Sequence, residues 1–193
     1  MRICIYAASG EHLDAAYFSA ARQLGEAMAK AGHSLVFGGG RRGLMGACAE
    51  GVHAFNGHIT GVVPRFFDEP GVICDYCDQL IFTETMRERK AVMEDLAEAF
   101  LILPGGIGTF EEFFETLTLK QLGRHQKPMA LLNTLNYYRP LQAVLEQAAE
   151  AGFLGRSCLS LYALFNEPEE ALRYLERGDR GDRKGQDLGA YNR

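Results

Sequence analysis

The stretch Ala99-Phe100-Leu101-Ile102-Leu103-Pro104-Gly105-Gly106-Ile107-Gly108-Thr109 decides how the rest of the chain is read. Five apolar residues in a row suit a strand buried on both faces. Proline and paired glycines break it at once, and a helical pattern (Phe110, Phe113, Phe114, Leu117, Leu122) follows. Strand, glycine turn, helix is one half of a βαβ unit. On either side the same alternation repeats. Strands are expected at 3–6, 34–37, 58–63, 79–83, 99–103, 128–133 and 159–165, the third ended by Pro64. Helices are expected at 14–31, 44–55, 85–97, 109–122, 138–151 and 168–177. Strands alternating with helices of 10 to 15 residues predict a parallel sheet covered on both faces. The expected fold is a Rossmann-like, doubly wound α/β domain in three layers over residues 1–177. The polar remainder, 178–193 (GDRGDRKGQDLGAYNR), lacks apolar spacing and is expected to be a mobile tail.

Composition narrows the class. Of 193 residues 47% are hydrophobic and 23% charged, and the formal net charge is −5. That suits a soluble globular domain and argues against a disordered chain or a disulfide scaffold. No run approaches the roughly 18 apolar residues of a membrane span. No signal peptide is visible, so a cytoplasmic location is expected. Mild acidity gives no reason to expect nucleic-acid binding, and an anionic ligand needs a local device. The five cysteines (Cys4, Cys48, Cys74, Cys77, Cys158) cannot all pair within the chain and are expected to be free. Cys74-Asp75-Tyr76-Cys77 is a lone CxxC in a loop rather than at a helix start, so structural thiols are expected there. No histidine shows ligand spacing; His53 and His58 are expected at the surface or in the core. No metal and no cofactor are called for.

Open α/β sheets bind ligands beyond the carboxyl ends of their strands. Three such ends stand out: Ala7-Ala8-Ser9-Gly10, Gly38-Gly39-Gly40-Arg41-Arg42-Gly43, and Pro104 to Thr109. The last two run into helices, whose first N–H groups are unpaired and carry partial positive charge. Glycines let the backbone come close to a phosphate, so the combination makes an anion cradle. Neither loop is a GxGxxG followed by a suitably placed acid, and neither carries the Gly-Lys-Ser/Thr of a P-loop, which removes support for NAD binding and NTP hydrolysis by those routes. Met86-Arg87-Glu88-Arg89-Lys90 places three cations at a helix start, against the macrodipole. They are either a solvated face or a clamp for an anion. Glu111 and Glu112 follow the third loop; Glu112 shares a helix face with Thr109, three residues before it. That puts negative charge within reach of a ligand held by residues 105–109.

Gly38 to Gly46 (GGGRRGLMG) resembles the GGGxxGLMG segment of the LOG ("Lonely guy") family, often labelled lysine-decarboxylase-like. Pro104 to Glu112 (PGGIGTFEE) matches that family's PGGxGTxxE signature in full. The resemblance runs over roughly residues 2–177. It implies a homodimeric enzyme that hydrolyses the N-glycosidic bond of a nucleoside 5′-monophosphate, a cytokinin riboside monophosphate or AMP, to free base and ribose 5-phosphate. It implies Arg89 and Glu112 as the catalytic pair. Gly106, Gly108 and Thr109 would hold the phosphate, Lys90 would assist binding, and Thr118 would be a further contact. Ser9, Gly39, Gly40, Met45, Met86 and Gly105 complete the candidate substrate contacts. The alternative on the same fold is a carrier of nucleotide or molybdenum cofactor that hydrolyses nothing. Decarboxylation would call for pyridoxal phosphate on a lysine, and nothing marks such a lysine. Arg87 stands where the family usually has His, and Ala8-Ser9-Gly10 where it usually has Gly-Ser-Ser. Both departures bear on which substrate is accepted.

Overall fold

The computed structural model describes residues 1–178; the tail expected at 178–193 lies outside them except for Gly178. Seven strands, β1 (Arg2–Tyr6), β2 (Ser34–Phe37), β3 (Ile59–Pro64), β4 (Gln79–Thr83), β5 (Ala99–Ile102), β6 (Met129–Leu132) and β7 (Ala163–Phe165), form one sheet in the order β4-β3-β2-β1-β5-β6-β7. Every neighbouring pair is parallel. Between them lie α1 (Ala15–Lys30), α2 (Gly43–Ala54), α3 (Met86–Leu96), α4 (Ile107–Gln121), α5 (Arg139–Glu150) and α6 (Pro168–Arg177).

The side-chain period of two builds both faces. Along β1, Ile3 and Ile5 join a core with Leu24 and Met28 of α1, Leu44 and Cys48 of α2 and Leu172 of α6. Cys4 and Tyr6 point the other way, to a core with Met93 of α3 and Phe113 and Leu117 of α4. Both layers are apolar, so the strands read as continuous hydrophobic runs. The sheet therefore has α1, α2 and α6 on one face and α3 and α4 on the other.

Three boundaries differ from expectation in ways that matter. Residues 156–160 turn as a 3-10 helix, so the last strand shrinks to Ala163–Phe165. Pro64 is the closing residue of β3 rather than its first breaker, in register with Thr83. And α4 begins at Ile107, two residues before the expected Thr109, with Gly106 as its cap. Phe113 is fully buried and Leu117 nearly so, whereas Phe114 and Leu122 are more than a third exposed. The aromatic helix thus splits between core and surface.

Candidate active site

Going outward from β1, the chain lays β2, β3 and β4 on one side, then returns to place β5 on the other. The loops after β1 and β5 diverge there, which opens a crevice at the switch point. Backbone bonds draw three glycine-bearing loops together around it. The Ala8 amide donates to the Pro104 carbonyl at 3.1 Å, and the Ala8 carbonyl accepts from the Leu44 amide at 2.9 Å. Gly43 has φ +64°, and a Cβ there would fall 2.5 Å from the Ala8 oxygen and 2.6 Å from the Ser9 carbonyl carbon. Only glycine lets the second loop close against the first.

The third loop is built as an anion cradle. Gly106 caps α4 with no side chain, and no acid occupies the first helical turn. The first amides, from Ile107 to Thr109, therefore meet no carboxylate of their own turn, and the positive end of the helix dipole stays available. Around Gly106 and Gly108 a Cβ would meet nothing within 4 Å; the space beside them is open. Gly105 is different: a Cβ would lie 2.1 Å from the Thr109 hydroxyl oxygen, so Thr109 folds back onto the turn and is buried. Two consecutive tyrosines after β6 brace this loop through its carbonyls. The Tyr137 hydroxyl donates to the Gly105 carbonyl and the Tyr138 hydroxyl to the Leu103 carbonyl.

The charged run at the start of α3 is resolved residue by residue. Thr85 caps the helix by accepting from the Glu88 amide, and the Glu88 carboxylate reaches back to the Glu84 amide, a near relative of the capping box. That cap sets the helix phase. It leaves Met86 and Arg87 exposed and turns Arg89 inward. Arg89 is 7% exposed. Its Nε donates to the Val62 carbonyl at 3.2 Å, and its Nη1 to Glu112 Oε1 at 2.8 Å. The guanidinium lies over Gly38, where a Cβ would sit 1.9 Å from Nη2. Thus the loop after β2 leaves room for Arg89, β3 supplies it an acceptor, and α4 gives it a counter-ion.

Glu112 is 9% exposed, on the second turn of α4. Burial pushes its carboxyl above the ordinary range, while the charge and hydrogen bond of Arg89 pull it back part of the way. Lys90 bridges Glu111 and Glu115. Burial pulls its ammonium down, but the two carboxylates outweigh that and leave it above its ordinary value. These two ion pairs tie α3 to α4.

The other candidates fall into two groups. Ser9 is exposed at the end of β1, with Gly39, Gly40 and Met45 in and after the second loop; Gly39 has φ +71° and packs against Val63. Thr118 does not join this cluster within one chain. It is exposed on α4, nine residues and roughly 13 Å of helix beyond Thr109. Met86 is 40% exposed and touches neither Arg89 nor Glu112 by any bond in the structure. Sequence reasoning missed the Val62 carbonyl and the tyrosine brace. A backbone acceptor leaves no mark in a sequence, whereas the Tyr137-Tyr138 doublet beside a strand end was a readable signal. His53 and His58 are both at the surface. Among the described residues, no group of three or more His, Cys, Asp or Glu side chains could hold a metal ion, and no helix is long and apolar enough to cross a membrane.

Fold and site together define a Rossmann-like α/β protein with an amide cradle at the switch point and a buried arginine–glutamate pair beside it. A family model described as "Possible lysine decarboxylase" matches residues 45–175. The cytokinin riboside 5′-monophosphate phosphoribohydrolase LOG of Oryza sativa subsp. japonica is 40% identical over 153 residues, 79% of this chain and 63% of that protein. A cytokinin riboside 5′-monophosphate phosphoribohydrolase of Arabidopsis thaliana is 35% identical over 175 residues, 91% of this chain and 82% of that protein. The molybdenum cofactor carrier protein of Chlamydomonas reinhardtii superposes with a TM-score of 0.70 at 21% identity, covering 92% of this chain and 96% of that one; at that identity the likeness speaks for the fold alone. The chain belongs to the LOG family, the one that carries the lysine-decarboxylase description.

Proposed function

We propose that the protein is an N-glycosyl hydrolase that cleaves nucleoside 5′-monophosphates, a cytokinin riboside 5′-monophosphate or AMP, to free base and ribose 5-phosphate. The observation that carries this reading is the contact between Arg89 and Glu112, 2.8 Å apart and buried beside the α4 cradle. Breaking a ribose–base bond builds positive charge on the sugar, as in glycoside hydrolysis. The phosphate would dock on the amides of residues 106–109, with Thr109 and Lys90 nearby. Glu112 would face the developing cation and take a proton from a water whose oxygen bonds to C1′; the C1′–N bond breaks, and the departing base takes up one proton as Glu112 gives one back, so that water's OH ends on the sugar and its H on the base. Arg89 would keep Glu112 ionised and aimed, since a cation beside a buried carboxylate opposes the desolvation that would neutralise it. No cofactor enters this scheme, and residues 1–177 are taken as the catalytic domain.

A carrier would use the glycine loops without needing a buried ion pair whose desolvation is costly, which favours hydrolysis over the carrier reading. We further propose a homodimer. Met86 at the start of α3 and Ile107, Phe114 and Leu122 along α4 leave apolar surface uncovered, Ile107 being 87% exposed. A second copy packed there would also account for Thr118, which could then serve the partner's site. The deciding experiment mixes purified protein with AMP and with isopentenyl-AMP and follows released base by chromatography. Base release at rates that fall with Glu112→Gln supports the proposal. Intact nucleotides after prolonged incubation with saturating protein would overturn it.

A further inference from the structure

The CxxC is not absorbed by the nucleotide site, and its surroundings differ from those of the other thiols. Cys4 and Cys48 are wholly enclosed, and Cys158 is buried. Cys74 and Cys77 instead stand at the two ends of a turn made by Asp75 and Tyr76. In such a turn the first and fourth Cα atoms lie within about 7 Å, and a disulfide needs roughly 4.4–6.8 Å. Each thiol acts on the other's titration, favouring a thiolate on Cys74 and disfavouring one on Cys77.

The turn is fixed on every side. Asp75 pairs with Arg41 at 2.7 Å, and the Tyr76 ring stacks on His53 of α2 with centroids 4.4 Å apart. The Cys74 amide donates to the Gly39 carbonyl at 2.8 Å, and the Arg41 amide to the Val72 carbonyl at 2.9 Å. The CxxC turn is thus stitched to the second glycine loop. Cys74, Tyr76, Arg41 and Arg42 line one cleft of about 410 Å³. Cys74 is 3% exposed where it meets that cleft, and Cys77 is partly exposed. A small oxidant fits this access better than a bulky one.

We propose that Cys74 and Cys77 form a reversible dithiol–disulfide site, oxidised by a hydroperoxide and seated against the second glycine loop. The Cys77 thiol, the Tyr76 amide and the Arg41 charge favour the Cys74 thiolate, burial and the Asp75 charge oppose it, and the net shift is downward, which makes it the attacking sulfur. The thiolate attacks one peroxide oxygen and breaks the O–O bond; the sulfur becomes a sulfenic acid, and the other oxygen leaves as hydroxide or alkoxide and takes a proton. The Cys77 sulfur then attacks the Cys74 sulfur and displaces water. Two thiols are oxidised by two electrons, and one peroxide is reduced. A dithiol reductant reverses the reaction by exchange.

The test uses the full-length protein and hydrogen peroxide. Free thiols are counted under denaturing conditions by alkylation and intact mass, before and after treatment, and the products are mapped by peptide mass spectrometry. The expected result is loss of two of the five thiols, a linkage mapped between residues 74 and 77, and recovery of all five with dithiothreitol. In Cys77→Ser, a dimedone adduct should accumulate on Cys74. Five thiols persisting in the wild-type protein, disulfides linking separate chains, or oxidation of Cys74 straight to sulfinic acid would each overturn the proposal. The wild-type count stands whether or not the variant folds.

Discussion

The Arg89–Glu112 pair serves two demands that single substitutions separate. Glu112→Gln keeps the volume and a hydrogen bond to the arginine but removes the charge. It should leave the fold intact by circular dichroism and lower kcat for base release by about 10²-fold or more, as expected for a group acting on transition-state charge. Arg89→Ala should lose a similar factor and also stability. It strands a buried carboxylate, which costs about 3 kcal/mol where no proton neutralises it; urea denaturation at neutral pH would read this. The pH dependence follows from the raised Glu112 carboxyl. Activity needs the carboxylate, so kcat/KM should fall as pH drops through a midpoint above the ordinary carboxylate range. Arg89→Gln should move that midpoint higher, because the charge opposing desolvation is gone. Stability has the opposite sign. The native state holds this proton more tightly than the unfolded chain, so Glu112's contribution is fully present at low pH and is lost as pH rises through the native value.

At the scale of elements, the glycines of the two motifs do different work, and alanine substitution should sort them. Gly38→Ala drives a Cβ into the Arg89 guanidinium. The expected outcome is about 1–3 kcal/mol of destabilisation from overpacking, with a loss of activity like that of Arg89→Ala. Gly106→Ala meets no protein atom, so thermal stability should change little, by about 0.5 kcal/mol at most. KM for AMP should rise, because the new methyl occupies the space proposed for phosphate. Steady-state kinetics and thermal melts on the same preparations separate the two effects.

These elements also show what could be read in advance. The sheet was legible because buried parallel strands are unbroken apolar runs and each is followed by a helical period. The third loop was legible because Pro104-Gly105-Gly106 interrupts such a run just before a helix. The start of α4 was misread by two residues because glycine at 108 argues against helix on propensity; tertiary packing of the following turns outweighs that cost. Residues 159–165 looked like a full strand because Leu159, Leu161 and Tyr162 are apolar, yet residues 159–160 close a 3-10 turn that begins after Gly155 and only Ala163–Phe165 pairs in the sheet. At Met86 to Lys90 spacing could not separate a solvated face from a buried clamp. What separates them is the Thr85 cap, which sets the rotation of α3, and Gly38, which makes room 51 residues earlier in the chain.

For the whole molecule, the topology brings the loops after β1, β2 and β5 to one edge of the sheet, with β1 and β5 adjacent and central. Size-exclusion chromatography with light scattering should return twice the 21.3 kDa chain mass if a second copy covers Ile107 and Phe114. A monomer at micromolar concentration would remove the partner's Thr118 from the proposed substrate contacts. An Ile107→Glu variant should weaken the pairing, since it places charge where the dimer would exclude water.

The two phenols that grip the carbonyls of Leu103 and Gly105 carry a further consequence. They hold two peptide planes leading into the cradle, so the ordering entropy of that turn is spent when the chain folds rather than when an anion arrives. Occupied and vacant forms should superpose closely there, and the unpaired amides of residues 107–109 should exchange fast without nucleotide and slow only when an anion accepts from them. The cradle is then a preset mould, and the cost of binding falls on the nucleotide rather than on the turn that receives its phosphate.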